Sequence, residues 1–464
     1  MNVSDSERVN ESLIDAGYQI VRTSDAADVV LFNTCSVREK AENKLYSRIG
    51  EIRSYAAENS TISNGQPIIG VLGCVAQLEG ENLLKHTNKI DFVLGTKAVG
   101  RIGRIIADVI ETNDAQPYGF PNPNYTDGSE RIFPIQPSPQ KQFLDLGERE
   151  SDYDWRVKPD YRTSKHISYI PIIEGCNKFC TYCIVPFSRG REQSRLSADI
   201  LRDVTELKNE GIREIHLIGQ NVNSYRPKGD DHLANYKGAT PFSGLLRAVA
   251  ETGIERIKFT TSFPRDFHTD IISAINEHEN LCNWVHLPVQ SGSDNVLRTM
   301  RRGHTISAYQ KQIDEIKSSP RRIALTSDLI VGFPGETESD FQETLKLVES
   351  NCFDALFIFK YSPRRGTPAA SLDDDVSWKD KQTRFITLES AQRRAQSLNW
   401  RENHVGQILQ VLAERTSTKN PCDLTGHSTC QKIVNFKAPQ SSIGRVVKVL
   451  ITEVKINSLY GVSV

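Results

Sequence analysis

Gly175-Cys176-Asn177-Lys178-Phe179-Cys180-Thr181-Tyr182-Cys183 carries three cysteines spaced Cys-x3-Cys-x2-Cys, with no fourth cysteine nearby and no histidine at zinc-finger distance. A closed zinc site takes four protein ligands. Iron–sulfur cubanes are held by thiolates, usually four. Three thiolates leave one iron open to a small molecule. S-adenosylmethionine (SAM) can bind there through its amino and carboxylate groups and be cleaved by one electron to a 5′-deoxyadenosyl radical. That radical takes hydrogen from C–H bonds beyond the reach of protein acids and bases. The cofactor brings the reactivity and the protein brings the placement. Cys176, Cys180 and Cys183 are therefore the candidate cluster ligands. Tyr182, between two of them, shelters the cluster, stacks near the adenine or simply packs. Zinc completed by a distant ligand, or a structural cluster with a remote fourth ligand, would use the same residues.

Outward from the triplet, residues 166–395 repeat a strand–helix plan. Apolar runs of strand length lie at His166–Ile173, Glu214–Ile218, Arg256–Thr260, Trp284–Leu287, Ala324–Ile330 and Ala355–Phe359. Helical patterns such as Ser197–Asn209 and Glu338–Ser350 fall between them. Alternating strands and helices argue for a parallel sheet. The number of units suggests a full or partial (β/α) barrel, with the triplet just past its first strand, on the face where barrels carry their chemistry. Gly219, Gln220 and Asn221 follow the second strand and are candidate SAM contacts, since glycine allows close backbone approach and the amides donate or accept. The segments Gln290–Ser293 and Ser327–Thr337, which leave strands through turns, are candidate further walls or simply turns and helix caps.

Residues 1–100 also read as α/β, with strands at Asp28–Asn33, Pro67–Cys74 and Asp91–Gly95 and a helix over Arg38–Tyr55. Cys35 and Cys74 fall just past strand ends, where open α/β sheets carry sites; buried free thiols are the alternative. Residues 113–165 hold prolines at 117, 121, 123, 134, 137 and 139 and read as a connection between domains. Residues 401–464 read as short strands at Gln407–Ala413, Cys430–Phe436, Gly444–Ile451 and Glu453–Ser458, a small all-β barrel of the kind that binds single-stranded or looped nucleic acid. Arginines at 189, 191 and 195, and pairs at 301–302, 321–322, 364–365 and 393–394, are candidate phosphate contacts or ordinary solvated surface.

The 464 residues suggest two to four domains. A net charge of -1 says little about partners. No apolar run reaches membrane-span length, and the first residues lack a basic stretch followed by an apolar one, so neither a membrane span nor a signal peptide is expected. Nine cysteines at irregular spacing make a poor disulfide framework, so a reducing cytoplasm and metal ligation are the expectation. Cys282, Cys352, Cys422 and Cys430 read as non-ligand residues.

From Gly175 through Cys183-Ile184-Val185-Pro186-Phe187-Ser188-Arg189-Gly190-Arg191 to Arg195, the sequence resembles the radical-SAM motif of the bacterial tRNA methylthiotransferases, which make 2-methylthio-N6-isopentenyladenosine. The resemblance spans essentially the whole chain. It implies an N-terminal methylthiotransferase domain over 1–107, a linker over 108–161, a radical-SAM core over 162–394 and an RNA-binding TRAM domain over 397–460. It implies that Cys176, Cys180 and Cys183 hold a SAM-binding [4Fe-4S] cluster and that Cys35 and Cys74 hold part of an auxiliary one. The expected reaction adds a methylthio group to C2 of N6-(dimethylallyl)adenosine at position 37 of tRNA. The implied partners are a tRNA anticodon stem-loop, an electron-donating reductase or flavodoxin-like protein and a sulfur donor, with the protein itself expected to be a monomer. The sister enzymes that modify a ribosomal protein lack the pattern found at Phe187–Arg191. Action on threonylcarbamoyladenosine, or RNA binding around a structural cluster without chemistry, are the alternatives. Members of the family open with a strand leading to Gly-Cys-Gln-Met-Asn, whose cysteine is the third auxiliary ligand. This sequence starts at Met1-Asn2-Val3, which aligns just after it. A start codon assigned too late is the expected explanation, and a two-cysteine site is the other.

Overall fold

The structure, a computed structural model, describes residues 1–34, 40–58, 66–112, 142–148, 155–230, 232–350 and 352–464. It divides into two compact units, Met1–Thr163 with Ile184–Gly190, and Ser164–Cys183 with Arg191–Val464.

In the first unit, β1 (Val29–Thr34), β2 (Ile68–Gly73), β3 (Phe92–Leu94) and β4 (Phe143–Asp145) form a parallel sheet in that order. Its helices are α1 (Asn2–Asp15), α2 (Lys40–Glu58), α3 (Cys74–Glu79), α4 (Glu81–His86), α5 (Ile102–Thr112) and α6 (Val185–Arg189). Side chains alternate across the sheet. Leu72, Phe92 and Leu94 pack with Val9, Leu13, Ile102 and Ile106 on one face. Ile69, Val71 and Val93 pack with Leu45, Ile49, Val75 and Leu83 on the other. Both faces are covered, which is why the strands read as unbroken apolar runs. β4 lies within the stretch that reads from sequence as a connection, because its three residues are masked by the surrounding prolines.

In the second unit, β5 (Ile167–Pro171) is followed by the hairpin pair β6 (Ile173–Glu174) and β7 (Gln193–Ser194). Then come α7 (Ser197–Asn209), β8 (Glu214–Ile218), α8 (Pro241–Glu251), β9 (Arg256–Phe259), α9 (Thr269–Glu277), β10 (Trp284–His286), α10 (Asp294–Thr299), α11 (Ile306–Lys317), β11 (Ala324–Val331), α12 (Glu338–Glu349), β12 (Ala355–Lys360) and α13 (Trp378–His404). The strands pair in parallel as β5-β8-β9 and β10-β11-β12, and Ile257 bridges to Leu281 between the two sheets. This is the expected partial (β/α) barrel. Sequence punctuation sets the helix starts: Thr240 caps α8 ahead of Pro241, and Thr337 with Asp340 forms a reciprocal capping box on α12.

Ile215, Leu217, Ile257 and Phe259 join Ile200, Val204, Phe242 and Leu245 in the main core. Each such buried side chain contributes about 1.5–3 kcal/mol. The alternate residues of the same strands are charged. Glu214 meets Lys258 at 2.9 Å, Arg256 at 2.8 Å and His216 at 2.6 Å. Burial pushes the Glu214 carboxyl up, but Lys258, His216 and Arg256 together outweigh it and hold it below its ordinary value.

The chain closes with a five-stranded barrel ordered β13-β14-β15-β17-β16, from β13 (Ile408–Thr416), β14 (Asp423–Ser428), β15 (Ile433–Lys437), β16 (Val446–Val454) and β17 (Leu459–Ser463). A built Cβ on Gly426 would stand 1.8 Å from the Leu412 carbonyl oxygen, so only glycine lets β13 and β14 approach this closely. Among the described residues no helix is long and apolar enough to cross a membrane.

Candidate cluster and cofactor site

The cysteine triplet leaves β6 through Gly175, whose φ of 78° is in the left-handed region. The loop is pinned at Thr181. Its amide donates to the Met300 carbonyl (3.1 Å), its hydroxyl to the Thr299 carbonyl (3.0 Å), and its own carbonyl accepts from Ala369 (2.9 Å). Phe179, between the first two cysteines, has a φ of 50° and is half-exposed. A bulky residue there is strained, and such strain persists where the surroundings fix the backbone. Thr261 and Gln290, past the ends of β9 and β10, are also left-handed (φ 72° and 80°).

Cys176 and Cys180 are buried and Cys183 is half-buried. Asn221 Nδ2 donates to Cys176 Sγ at 3.2 Å. Arg302 Nη1 donates to Cys180 Sγ at 3.5 Å. Burial pushes the Cys176 thiol up, while the Lys178 amide pulls the other way. Such a thiol gives up its proton to a metal rather than to water. Among the described residues no three His, Cys, Asp or Glu side chains converge as ligands of one ion would. Buried thiols with amide and guanidinium donors aimed at their sulfurs suit an iron–sulfur cluster.

The loop after β8 lies beside the triplet. A Cβ on Gly219 would meet Ile173 Cγ2 at 2.3 Å, so glycine is required for this approach. Asn221 faces the thiol of Cys176. The buried Gln220 Oε1 has no hydrogen-bond partner, which leaves an acceptor for a polar ligand. Tyr182 packs edge-on against Phe333, ring centres 6.5 Å apart, beside Met300 and Tyr361. The two turns expected to form further walls are largely satisfied by the protein itself. Ser291 and Gly292 bond to Thr344, and Ser293 to Asp340. The Glu336 carboxylate accepts from the Gly332 and Phe333 amides, and burial pushes it up to about 7 despite Arg384.

In the first unit, Cys74 is a buried free thiol at the start of α3. It follows Gly73, which pairs with Thr34 and has a φ of 91°. Cys35 lies outside the described residues. α6, which follows Cys183 in the chain, packs on α3, and Thr96 Oγ1 donates to the Ser188 carbonyl (2.9 Å). Arg189 makes a buried ion pair with Asp5 at 2.5 Å.

The arginines divide into two groups. Arg195 pairs with Asp203, Arg321 donates to the carbonyls of Ile275 and Leu281, Arg322 reaches Asp354, and Arg302 is buried. With Arg189, these are structural groups and not a phosphate surface. Arg191, Arg301, Arg365 and Arg394 remain exposed. The C-terminal barrel adds exposed Arg415, Lys419, Lys437, Arg445, Lys448 and Lys455. Sequence reasoning misses Asn221 and Arg302 as partners of the thiols. It offers Asn221 as a SAM contact and Arg302 as a phosphate contact or solvated surface, and tertiary distance is what shows each facing a thiol.

Three family models match. The Radical SAM superfamily matches residues 170–348, the uncharacterized protein family UPF0004 residues 1–95, and the TRAM domain residues 402–464. Among curated proteins, the tRNA-2-methylthio-N(6)-dimethylallyladenosine synthase of Koribacter versatilis is 39% identical over 466 residues, covering 99% of this chain and 95% of that one. The enzyme of the same name from Yersinia pseudotuberculosis is 39% identical over 465 residues, covering 100% and 90%. Among solved structures, the radical S-adenosylmethionine methyltransferase TsrM from Kitasatospora setae superposes with a TM-score of 0.50 at 13% identity, covering 79% of this chain and 70% of that one. That likeness concerns the fold alone.

Proposed function

The chain belongs to the family of tRNA-2-methylthio-N6-dimethylallyladenosine synthases, and from that membership we propose that it adds a methylthio group to C2 of N6-(dimethylallyl)adenosine at position 37 of tRNA. The observation that carries the reading is the end-to-end match to enzymes of that name, 39% identical across 99% of this chain. The Cys-x3-Cys-x2-Cys loop supports it independently. Radical-SAM membership implies iron–sulfur and SAM chemistry in general. The finer assignment is that Cys176, Cys180 and Cys183 hold a [4Fe-4S] cluster open at one iron, and that Cys35 and Cys74 serve a second cluster.

Held there, a cluster and one SAM would supply the electron and the radical that takes hydrogen from C2, while a further SAM would supply the methyl and a sulfur donor at the auxiliary site the sulfur of the methylthio group. The chain's own residues do the rest. Asn221 and Arg302 hold two of the thiols in place by donating to their sulfurs. Gln220 offers its unpartnered carbonyl oxygen to a donor on SAM, and Gly219 keeps the backbone close. Tyr182 and Phe333 wall the pocket with apolar surface, which limits water near a radical. The exposed lysines and arginines of the C-terminal barrel engage RNA phosphates. Turning the base out of an anticodon loop costs less than leaving a duplex.

The test is anaerobic incubation of reconstituted protein with reductant, SAM, sulfide as sulfur donor and tRNA carrying N6-(dimethylallyl)adenosine, followed by nucleoside analysis. The methylthio nucleoside and 5′-deoxyadenosine are expected together. Product from threonylcarbamoyladenosine tRNA instead would reassign the substrate, and SAM left intact would reduce the protein to an RNA-binding role.

A further inference from the structure

Arg302 is 4% exposed, yet among the described residues no carboxylate stands within ion-pair distance of it. Its Nη2 donates to the Pro288 carbonyl at 2.5 Å, and Nη1 to Cys180 Sγ at 3.5 Å. Its guanidinium lies over the Phe263 ring at 4.3 Å. Its buried Nε has no partner. Every other buried arginine described in the second unit has an acidic partner: Arg256 has Glu214, and Arg384 has Glu336. An isolated buried charge is strongly unfavourable, and a carbonyl with an aromatic ring offsets only part of it. Arginine stays charged in proteins. The missing negative charge must come from what the site binds, and the groups Arg302 faces are thiols.

We propose that Arg302 is the countercharge of the cluster held by Cys176, Cys180 and Cys183, a positioning residue that sets its reduction potential. The inference rests on the cluster reading of the triplet. Cluster potentials respond to net charge and to hydrogen bonds on the sulfurs. Reduction adds one negative charge, so a fixed guanidinium beside Cys180 favours the reduced form. Arginine suits this post better than lysine for geometry, because one planar group reaches both the sulfur and the Pro288 carbonyl. Charge, however, is what the potential reads.

The experiment is a redox titration without SAM, followed by electron paramagnetic resonance, on the whole chain reconstituted anaerobically. Cys74→Ala is present throughout, so the triplet's cluster gives the signal. Arg302→Gln is expected to weaken the reduction equilibrium at least tenfold, a shift of about 59 mV to more negative potential for one electron, or to lose the cluster. Arg302→Lys is expected to keep the cluster with a potential near the parent's. A parental potential in Arg302→Gln, or an Arg302→Lys protein that behaves like Arg302→Gln, would overturn the proposal. A parent without iron would overturn the cluster reading itself, and this proposal with it.

Discussion

Removing the Asp354 carboxylate should loosen the C-terminal barrel from the second unit's core. Asp354 Oδ1 pairs with Lys432 Nζ at 2.9 Å and Arg322 Nη2 at 3.3 Å, and Oδ2 accepts from the Leu325 amide at 3.0 Å. Asp354 and Lys432 are each 3% exposed. Burial pushes the Asp354 carboxyl up, but Lys432, Arg322 and the hydrogen bonds win and hold it below its ordinary value. Asp354→Ala leaves the Lys432 ammonium buried beside the Trp400 ring at 4.8 Å, with no carboxylate in ion-pair distance among the described residues. Breaking a buried pair on one side costs about 3–5 kcal/mol, which is two to four decades in the opening equilibrium at about 1.4 kcal/mol per decade. Lys432→Met should cost less, because Asp354 keeps Arg322 and the Leu325 amide. The double change Asp354→Leu with Lys432→Met should recover most of the loss, since no buried charge is left over. Hydrogen exchange of the barrel amides, read by mass spectrometry, measures each value. The pH dependence has a definite sign. The folded carboxyl lies below the unfolded value of about 3.9. Its stabilisation is therefore fully present above that value and fades as pH falls through the folded one. The gap between parent and Asp354→Ala should close in acid. A loss under about 0.5 kcal/mol at neutral pH, the size of an ordinary surface change, would refute the reasoning, as would a double variant no better than Asp354→Ala.

Three further outcomes follow from the site. Cys176→Ala, Cys180→Ala and Cys183→Ala should each abolish 5′-deoxyadenosine formation while circular dichroism stays parental; an active single variant removes that cysteine from the ligand set. Asn221→Ala should loosen iron retention against a chelator about 10–100-fold, the usual effect of losing a partner of a metal ligand; unchanged retention would show that the 3.2 Å contact to Cys176 does not matter to the cluster. Lys437→Ala and Lys448→Ala should each weaken tRNA binding and lower the logarithmic salt slope by about 0.7–0.9; weaker binding at an unchanged slope would mean that they do not touch phosphate.

The strands of the second unit's core are largely legible in the amino-acid sequence. Glu214–Ile218 stands as a strand with the bounds read from its apolar pattern, and the other core strands fall within a residue or two. Those strands are buried on their helix-facing side, and that burial writes itself into sequence. The barrel at the end is harder. β14, Asp-Leu-Thr-Gly-His-Ser over Asp423–Ser428, is polar and carries the glycine its neighbour demands, so it is absent from the strands read in the sequence. β17 begins at Leu459, just past the run read as a strand at Glu453–Ser458, because β16 extends to Val454. The triplet declares its chemistry through spacing alone. Its supporting groups do not, because a guanidinium buried on a thiol and one reaching for RNA are the same letter. Arg189, Arg195, Arg302, Arg321 and Arg322 differ from Arg191 and Arg301 only in what lies across space from them. Gln220, Asn221 and Tyr182 can be picked out as candidates from their places beside strand ends and cysteines, but which way each faces requires distances.

The most direct test is spectroscopic: iron and sulfide analysis of anaerobically reconstituted protein, with Mössbauer spectra before and after SAM. The expected result is a [4Fe-4S] cluster bound by the triplet, with one iron whose signal changes when SAM is added. Zinc in place of iron, or a cubane whose spectrum is the same with and without SAM, would contradict it.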